Sequence, residues 1–280
     1  MATMLSGITA WAAPKPANEA PAPLLQFGKP DQAEGAKALE QLRRQGIAGD
    51  YYLEFQLRFM PRRGAELLYT GAMWGAQNDA GLISRVQLSA GTPEARHLLI
   101  QNWAEPAVWG STPAHPEAVR LDGPELFAPL LPGIDITPFD LQMPFIHWTD
   151  FRYDGLTRFA GRPAHIFLLR PPAGFALAHP ALKGVRVLLD SQFNALVQVE
   201  LLGEGDRVTK TTTVVDLKKV GGQWIVKTID VRDEGTKNKT RLSITAAALG
   251  LELSDALFAP AGLAVDPAAP PAGKITRISP

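Results

Sequence analysis

The sequence predicts a mainly β protein built on one meandering, strongly curved antiparallel sheet, with a few helices. Three observations carry that prediction. From Tyr51 onward, apolar and polar residues alternate with a period of two in segment after segment, as in strands with one buried face. Turn signals such as Asn78 to Gly81, Gly203-Glu204-Gly205-Asp206 and Gly221-Gly222 separate these segments at short intervals and join neighbours as hairpins. A Pro-dense apolar stretch, residues 110–144, interrupts the series with two short helical patterns, which suit a cover over one sheet face.

The elements follow in order. Residues 1–12 (MATMLSGITAWA) are short and apolar and end in Ala10-Trp11-Ala12, which reads as a signal-peptide remnant lacking the basic leading segment. Residues 13–29, rich in Pro and Ala, read as a leader without regular structure. Asp31 to Gln45 predicts a helix. Asp31 is the N-cap, Ala38, Leu39 and Leu42 form the apolar stripe, Arg43 and Arg44 suit the C-terminal dipole, Gly46 stops it and Gly35 weakens it.

Tyr51, Leu53, Phe55, Leu57 and Phe59 then alternate with Tyr52, Glu54, Gln56 and Arg58 as the clearest strand. Pro61 to Gly64 turns the chain into residues 65–76, and further strands are expected at 82–89, 95–101 and 107–109. Residues 123–131 and 137–143 each predict a short apolar helix opened by Pro124 and Pro138. Strands resume at 156–159, 164–169, 185–190, 197–201, 207–217, 223–232 and 241–246, which makes about eleven in series. A single domain over residues 30–260 is expected, followed by a flexible Pro/Ala-rich tail at 261–280.

Composition bounds the function. The 280 residues are 46% hydrophobic and carry 28 Lys+Arg against 28 Asp+Glu, so the chain supports a sizeable core. Its zero net charge, with no basic stripe, argues against nucleic-acid binding. The absence of cysteine removes disulfides, thiol catalysis and thiolate metal sites. No stretch approaches the ~18 apolar residues of a membrane-spanning helix, so a soluble protein is expected.

Catalytic motifs are missing. His97, His115, His147, His165 and His179 form no metal-ligand pair, and no nucleophile elbow, dinucleotide loop or phosphate loop occurs. His165 reads as a hydrogen-bonded core residue, and Asp140, Asp150 and Asp154 read as caps and turns rather than a carboxylate site. No enzyme activity, cofactor or metal is expected.

Several segments in order resemble one family. Asp150-Phe151-Arg152-Tyr153 runs on through Gly161-Arg162-Pro163, then Val187 to Asp190, the Lys210 to Trp224 hairpin and Leu257-Phe258. This series resembles the LolA-like superfamily of outer-membrane lipoprotein-sorting proteins, well over residues 150–260 and loosely over 32–109. The resemblance implies an unclosed half-barrel whose concave apolar face is capped by short helices. It also implies a periplasmic carrier or chaperone for acyl chains of lipids or lipoproteins, with a transient inner- or outer-membrane protein partner. The Pro-rich middle and the long tail depart from the family pattern.

Burial of an acyl chain, at about 0.8 kcal/mol per methylene, needs apolar surface and no charged constellation. The candidate lipid-binding residues are Phe55, Leu57, Phe59 and Trp74 from the early strands, with Phe139, Leu141, Phe145 and Trp148 from the cover. For each of these, ordinary core packing is the competing reading, and the strand at Tyr51 to Phe59 has the helix at 31–45 as an alternative partner. The function expected first is lipid or lipoprotein carriage by a monomer. A non-catalytic envelope-stress sensor or interaction module on the same fold is the alternative.

Overall fold

The computed structural model describes residues 29–103 and 105–279. The expected signal remnant and all but the last residue of the leader lie outside the described residues. A helix, α1 (Gln32–Arg43), precedes strands β1 (Asp50–Met60), β2 (Leu67–Asn78), β3 (Gly81–Leu88), β4 (Arg96–Gln101), β5 (Ala107–Thr112) and β6 (His115–Arg120). A cover segment follows, with a 3-10 turn at Gly123–Phe127, α2 (Pro138–Gln142) and a 3-10 turn at Pro144–His147. Strands β7 (Phe151–Phe159) and β8 (Arg162–Leu169), helix α3 (Ala173–Ala178), and strands β9 (Gly184–Asp190), β10 (Leu196–Leu202), β11 (Val208–Val220), β12 (Gln223–Asp233) and β13 (Lys239–Leu251) complete the series. Strand β14 (Thr276–Arg277) closes it.

All strands join one antiparallel sheet in the order β6-β5-β4-β3-β2-β1-β13-β12-β11-β10-β9-β8-β7, with β14 paired to β13. Its two edges, β6 and β7, do not meet, so the sheet is an open half-barrel, the fold class that the sequence predicts. Both edges are blunted. Strand β6 is short, mostly exposed and carries Pro116, a combination suited to an edge because proline donates no ladder bond. On β7, the Gln32 side chain accepts from Tyr153 N and donates to Tyr153 O, at 2.9 and 2.8 Å.

Helix α1 starts where Asp31 accepts from Ala33 N at 2.9 Å, and its buried Leu39 and Leu42 face β7 to β10. Gly35, a weakness by propensity, proves to be a packing requirement. A Cβ there would lie 2.5 Å from the Tyr153 side chain, so glycine lets the helix lie directly on β7. Gly71 and Gly75 of β2 serve the same end in the sheet. A Cβ would lie 2.4 Å from the Phe55 ring or 2.0 Å from the Tyr51 ring, so both aromatics cross over β2 where no side chain stands.

The sheet buries both faces. On the inner face, one apolar cluster gathers residues of β1, β3, β4, β5, β12 and β13, and a second gathers residues of β7 to β10 with α1. Phe127 and Phe175 pack against both clusters and make the inner core continuous. On the outer face, Tyr52, Trp74, Ile83, Leu99, Ala248 and Leu251 pack with Phe258 and Leu263 from the C-terminal region.

A flexible tail is expected at residues 261–280; the described part, 261–279, instead continues from Leu257 as a strap over this outer face. The reason lies in the sheet. Strand β12 stays paired with β13 only as far as Ser243, which leaves a free edge beyond it. Strand β14 fills that edge by pairing Ala246 with Arg277 and Ala247 with Thr276, and Ile278 N donates to Thr245 O at 2.9 Å. The side chain of Ile278 is buried in the inner core. Arg85, itself buried, donates to the carbonyls of Leu257 at 3.1 Å, Leu263 at 3.0 Å, and Val265.

Replacing Arg85 with Leu strands these carbonyls without their charged donor. Arg85→Leu is expected to lower the unfolding free energy by about 2–4 kcal/mol. In limited proteolysis it should expose residues 259–275 to cleavage that the parent protein resists; a strap equally resistant in the variant would place its anchor elsewhere.

Candidate ligand-binding site

The cover segment is built by local rules. Thr137 and Asp140 form a capping box at the start of α2, with Pro138 in the first turn, where its missing N–H costs nothing. Met143 ends α2 in the left-handed region at φ 48°, and Pro144 opens the next turn. The resulting reversal points successive apolar side chains at the sheet. Leu126, Leu130, Leu131, Ile134 and Ile136 pack onto the β1 half, and Phe139, Phe145 and Trp148 onto the β7 half. Where the halves meet, aromatic rings pack together, Phe127 stacked on Phe139 with centroids 4.6 Å apart, and Phe139 to Phe145 and Trp148 to Phe175 tilted at 5.8 and 5.5 Å.

A few polar contacts tie the cover to the sheet. Lys210 Nζ meets Asp140 Oδ2 at 2.6 Å, with side chains 13% and 7% exposed. Thr240 Oγ1 donates to Asp135 Oδ2 at 3.0 Å and accepts from Asp135 N at 2.9 Å. Burial pushes the Asp135 carboxyl above its ordinary range, against the hydrogen bond from Thr240. Tyr69 donates to Pro132 O at 2.9 Å, and the Arg43 guanidinium donates to Ile146 O and Trp148 O, both at 2.8 Å. Asp140, read from sequence as a cap, is both cap and ion-pair partner.

The predicted lining residues divide among three places. Phe55, Leu57 and Phe59 lie on the inner face beneath Leu126 to Ile136, and Leu141 packs half-buried against the same cluster. Phe139, Phe145 and Trp148 belong to the adjoining inner cluster. Trp74 does not join them. It stands opposite Tyr52 in the β1–β2 register, on the outer face, with the two ring centroids 5.1 Å apart beneath the strap. Nor does α1 cover β1; it lies on β7, and the cover segment takes its place.

Phe127 and Phe175, at the seam of the two clusters, are not among the lining residues expected from sequence. Phe127 falls in the short apolar helix expected at 123–131. Helix α3 is six residues long and follows Pro171-Pro172, too short to show a period.

The outer face holds an open cleft of about 560 Å³ whose lining is mixed, with Tyr52, Phe55, Ala72 and Ile278 beside Glu54, Gln56, Gln87 and Arg277. Its open mouth and the charged groups on its wall make it a poorer enclosure for an acyl chain than the covered inner face. On the inner side, the buried Tyr153 hydroxyl and His165 Nδ1 lie 2.8 Å apart, which satisfies the histidine within the core. Burial, followed by the charge of Glu34, pushes the tyrosine up to about 12. His179 packs between Phe127 and Phe175 at 4.9 and 4.3 Å.

Comparison with known proteins places this geometry. Residues 133–264, under half of the chain, match a family whose description reads "-like: Uncharacterized protein". No curated protein matches. Solved structures are similar over most of the chain. A DUF1329 family protein from Desulfovibrio piger is 17% identical, with a TM-score of 0.72, covering 82% of this chain and 98% of that one. An outer membrane lipoprotein-sorting protein domain from Vibrio parahaemolyticus is 16% identical, with a TM-score of 0.68, covering 82% and 97%. A LolA superfamily protein from Nitrosomonas europaea is 15% identical, with a TM-score of 0.61, covering 80% and 96%. The chain has the LolA-like fold.

Two outcomes follow from the ties and the buried imidazoles. Lys210→Met leaves Asp140 buried without its cation and is expected to cost about 3 kcal/mol in urea unfolding, with partial recovery when Asp140→Asn is added. Burial holds His97, His147, His165 and His179 below the ordinary imidazole value of 6.5. The unfolded chain therefore binds more protons as pH falls through that value, and folding loses stability there. Asp135 opposes this in part. The urea midpoint should be lower at pH 5 than at pH 7; equal midpoints would contradict the burial of these histidines.

Proposed function

We propose that this protein is a non-catalytic periplasmic carrier or chaperone that shelters acyl chains of lipids or lipoproteins on the inner face of the half-barrel, beneath the cover segment. One observation carries the reading. The continuous apolar inner face is closed by short helical turns fastened at a few polar points, rather than by a second sheet. The likeness of the fold to an outer membrane lipoprotein-sorting protein domain supports it. Phe55, Leu57, Phe59, Leu141, Phe139, Phe145 and Trp148 are the proposed lining; Trp74 is not, because it faces the strap.

The energetics suit a reversible carrier. An acyl chain of about fifteen methylenes gains roughly 12 kcal/mol on burial. Lifting about five large apolar cover residues off the sheet costs roughly 8–15 kcal/mol. Ligand therefore exchanges for cover with a small net difference, as loading and release both require. No helix among the described residues is long and apolar enough to cross a membrane. The proposed carrier acts as a monomer and meets a membrane-protein partner transiently, without a cofactor.

Native mass spectrometry with lipid extraction, on full-length protein purified from the periplasm of expressing cells, tests this. The expected result is co-purified phospholipid or acylated peptide, reduced at least tenfold in a folded Leu141→Glu variant. That replacement puts a charge at a half-buried cover position, at a cost of more than about 1.4 kcal/mol to ligand. A ligand-free mass, unchanged after lipid is added, would contradict the carrier reading.

A further inference from the structure

The register places every second connection at one end of the sheet. That end carries the turns β2–β3, β4–β5, β7–β8, β9–β10 and β11–β12. Among the described residues, the exposed tryptophan and phenylalanine side chains are Trp103, Phe193 and Trp224, at 59%, 59% and 68% exposure. All three lie at this end: Trp103 in the β4–β5 loop, Phe193 in the β9–β10 turn and Trp224 beside the Gly221-Gly222 turn. The opposite end exposes leucines, Leu67 and Leu68 at the start of β2 and Leu177 of α3, but no tryptophan or phenylalanine among the described residues; Leu82 adds a partly exposed leucine to the aromatic end.

Two of the aromatic tips, Phe193 and Trp103, are held by neighbouring groups. The Arg162 guanidinium lies 5.1 Å over the Phe193 ring, and the Trp103 ring stacks on His147 at 6.4 Å. The Phe193 turn is fixed by the Asp190 carboxylate, which accepts from Gln192 N and Phe193 N at 3.0 Å each. Fixed, exposed aromatics lose little conformational freedom on contact, which favours a surface that binds over one that merely happens to be apolar.

Charge identifies the partner. Around Phe193 and Trp224, the turns 158–162, 190–196 and 218–224 contain Arg158, Arg162, Lys218 and Lys219. Their single carboxylate, Asp190, is buried and bound by Arg162. Arg158, Lys218 and Lys219 are exposed. The rest of this end carries Asp79, Glu105 and, just after β13, Glu252 and Asp255, so the positive charge is local to the turns that hold Phe193 and Trp224. Tryptophan and phenylalanine flanked by lysine and arginine match the interface of an anionic bilayer, where the rings sit at headgroup depth and the cations meet phosphate.

We infer that this rim, centred on Phe193 and Trp224 with Lys218 and Lys219, docks the protein reversibly on an anionic phospholipid surface. The contact lies on hairpin tips and is separate from the inner face, so it does not rest on cargo being taken up.

Co-sedimentation of the full-length protein with phosphatidylethanolamine/phosphatidylglycerol vesicles tests the inference, with pure phosphatidylcholine vesicles as the neutral comparison. Binding should be stronger to the anionic vesicles and should weaken in 0.5 M salt, where screening acts over only about 4 Å. Trp224→Ala with Phe193→Ala should reduce partitioning about tenfold or more by removing two exposed rings. Lys218→Glu with Lys219→Glu should abolish the preference for anionic lipid. Trp224→Ala alone, at an exposed position, guards against a folding defect in the pairs. Leu177→Ala at the opposite end should bind vesicles like the parent. The inference is overturned if the parent protein does not sediment, or if the aromatic variants bind like it. It is equally overturned if Leu177→Ala abolishes binding, since association would then run through the opposite end. A parent protein that ignores vesicles but forms a complex with a membrane protein through Trp224 would assign the rim to a protein partner instead.

Discussion

An antiparallel sheet that curves without closing has an apolar concave face and no second sheet to pack against it. That constraint governs the rest of this molecule. Thirteen strands in one path present Phe55, Leu57, Phe59, Leu98 and Ile100 on one half and Phe167, Leu169, Val185, Val187 and Leu189 on the other, all on the side that must be kept from water. The chain meets the need with one connection, from β6 to β7, which returns across the concave face as a series of short turns. Proline at the start of each turn and a left-handed residue at Met143 keep any one of them from growing into a long helix. The cover consequently adapts to the curve of the sheet, and no single interaction fixes it.

The two faces are fastened in different ways. On the outer face, the strap is bound by the buried Arg85, with Gln87 and His97 both reaching Asp266 from adjacent strands. It is closed by Ile278 inserted into the core. A charged group buried with these partners is costly to uncover, so the strap belongs to the permanent structure. The cover is held mainly by apolar contact, supplemented by one buried ion pair and a few single hydrogen bonds. Apolar contact is non-directional and can be replaced by another apolar surface of similar shape. This difference supports the proposed exchange of ligand at the inner face over exchange at the strap.

Much of the fold was legible because its signals are local. Alternation from Tyr51 to Phe59 gives a strand and its buried face, Gly221-Gly222 gives a hairpin, and Asp31 gives a helix start, each from a few adjacent residues. What escaped depends on residues far apart. Trp74 and Phe55 lie on neighbouring early strands, but which face each takes is decided by register, which a one-residue slip inverts. Strand β6 was hidden by Pro116 within a Pro-rich stretch, where only its edge position makes proline tolerable. The strap looked like a loose tail because its composition is that of a linker. What orders it is a gap between β12 and β13 and a buried arginine more than 170 residues earlier in the chain. The inner apolar core was legible in kind, as apolar strand and cover residues, while its seam at Phe127 and Phe175 emerges only when the two halves are brought together.

On the proposed reading, ligand displaces the cover and leaves the strap and the sheet in place. Hydrogen–deuterium exchange on the full-length protein, with and without a monoacyl phospholipid below its micellar concentration, separates these elements. Protection is expected to change over residues 123–148, with β1 and the strap at 257–279 unchanged. Lipid-dependent change confined to the strap and the outer cleft, with the cover unaffected, would contradict that reading.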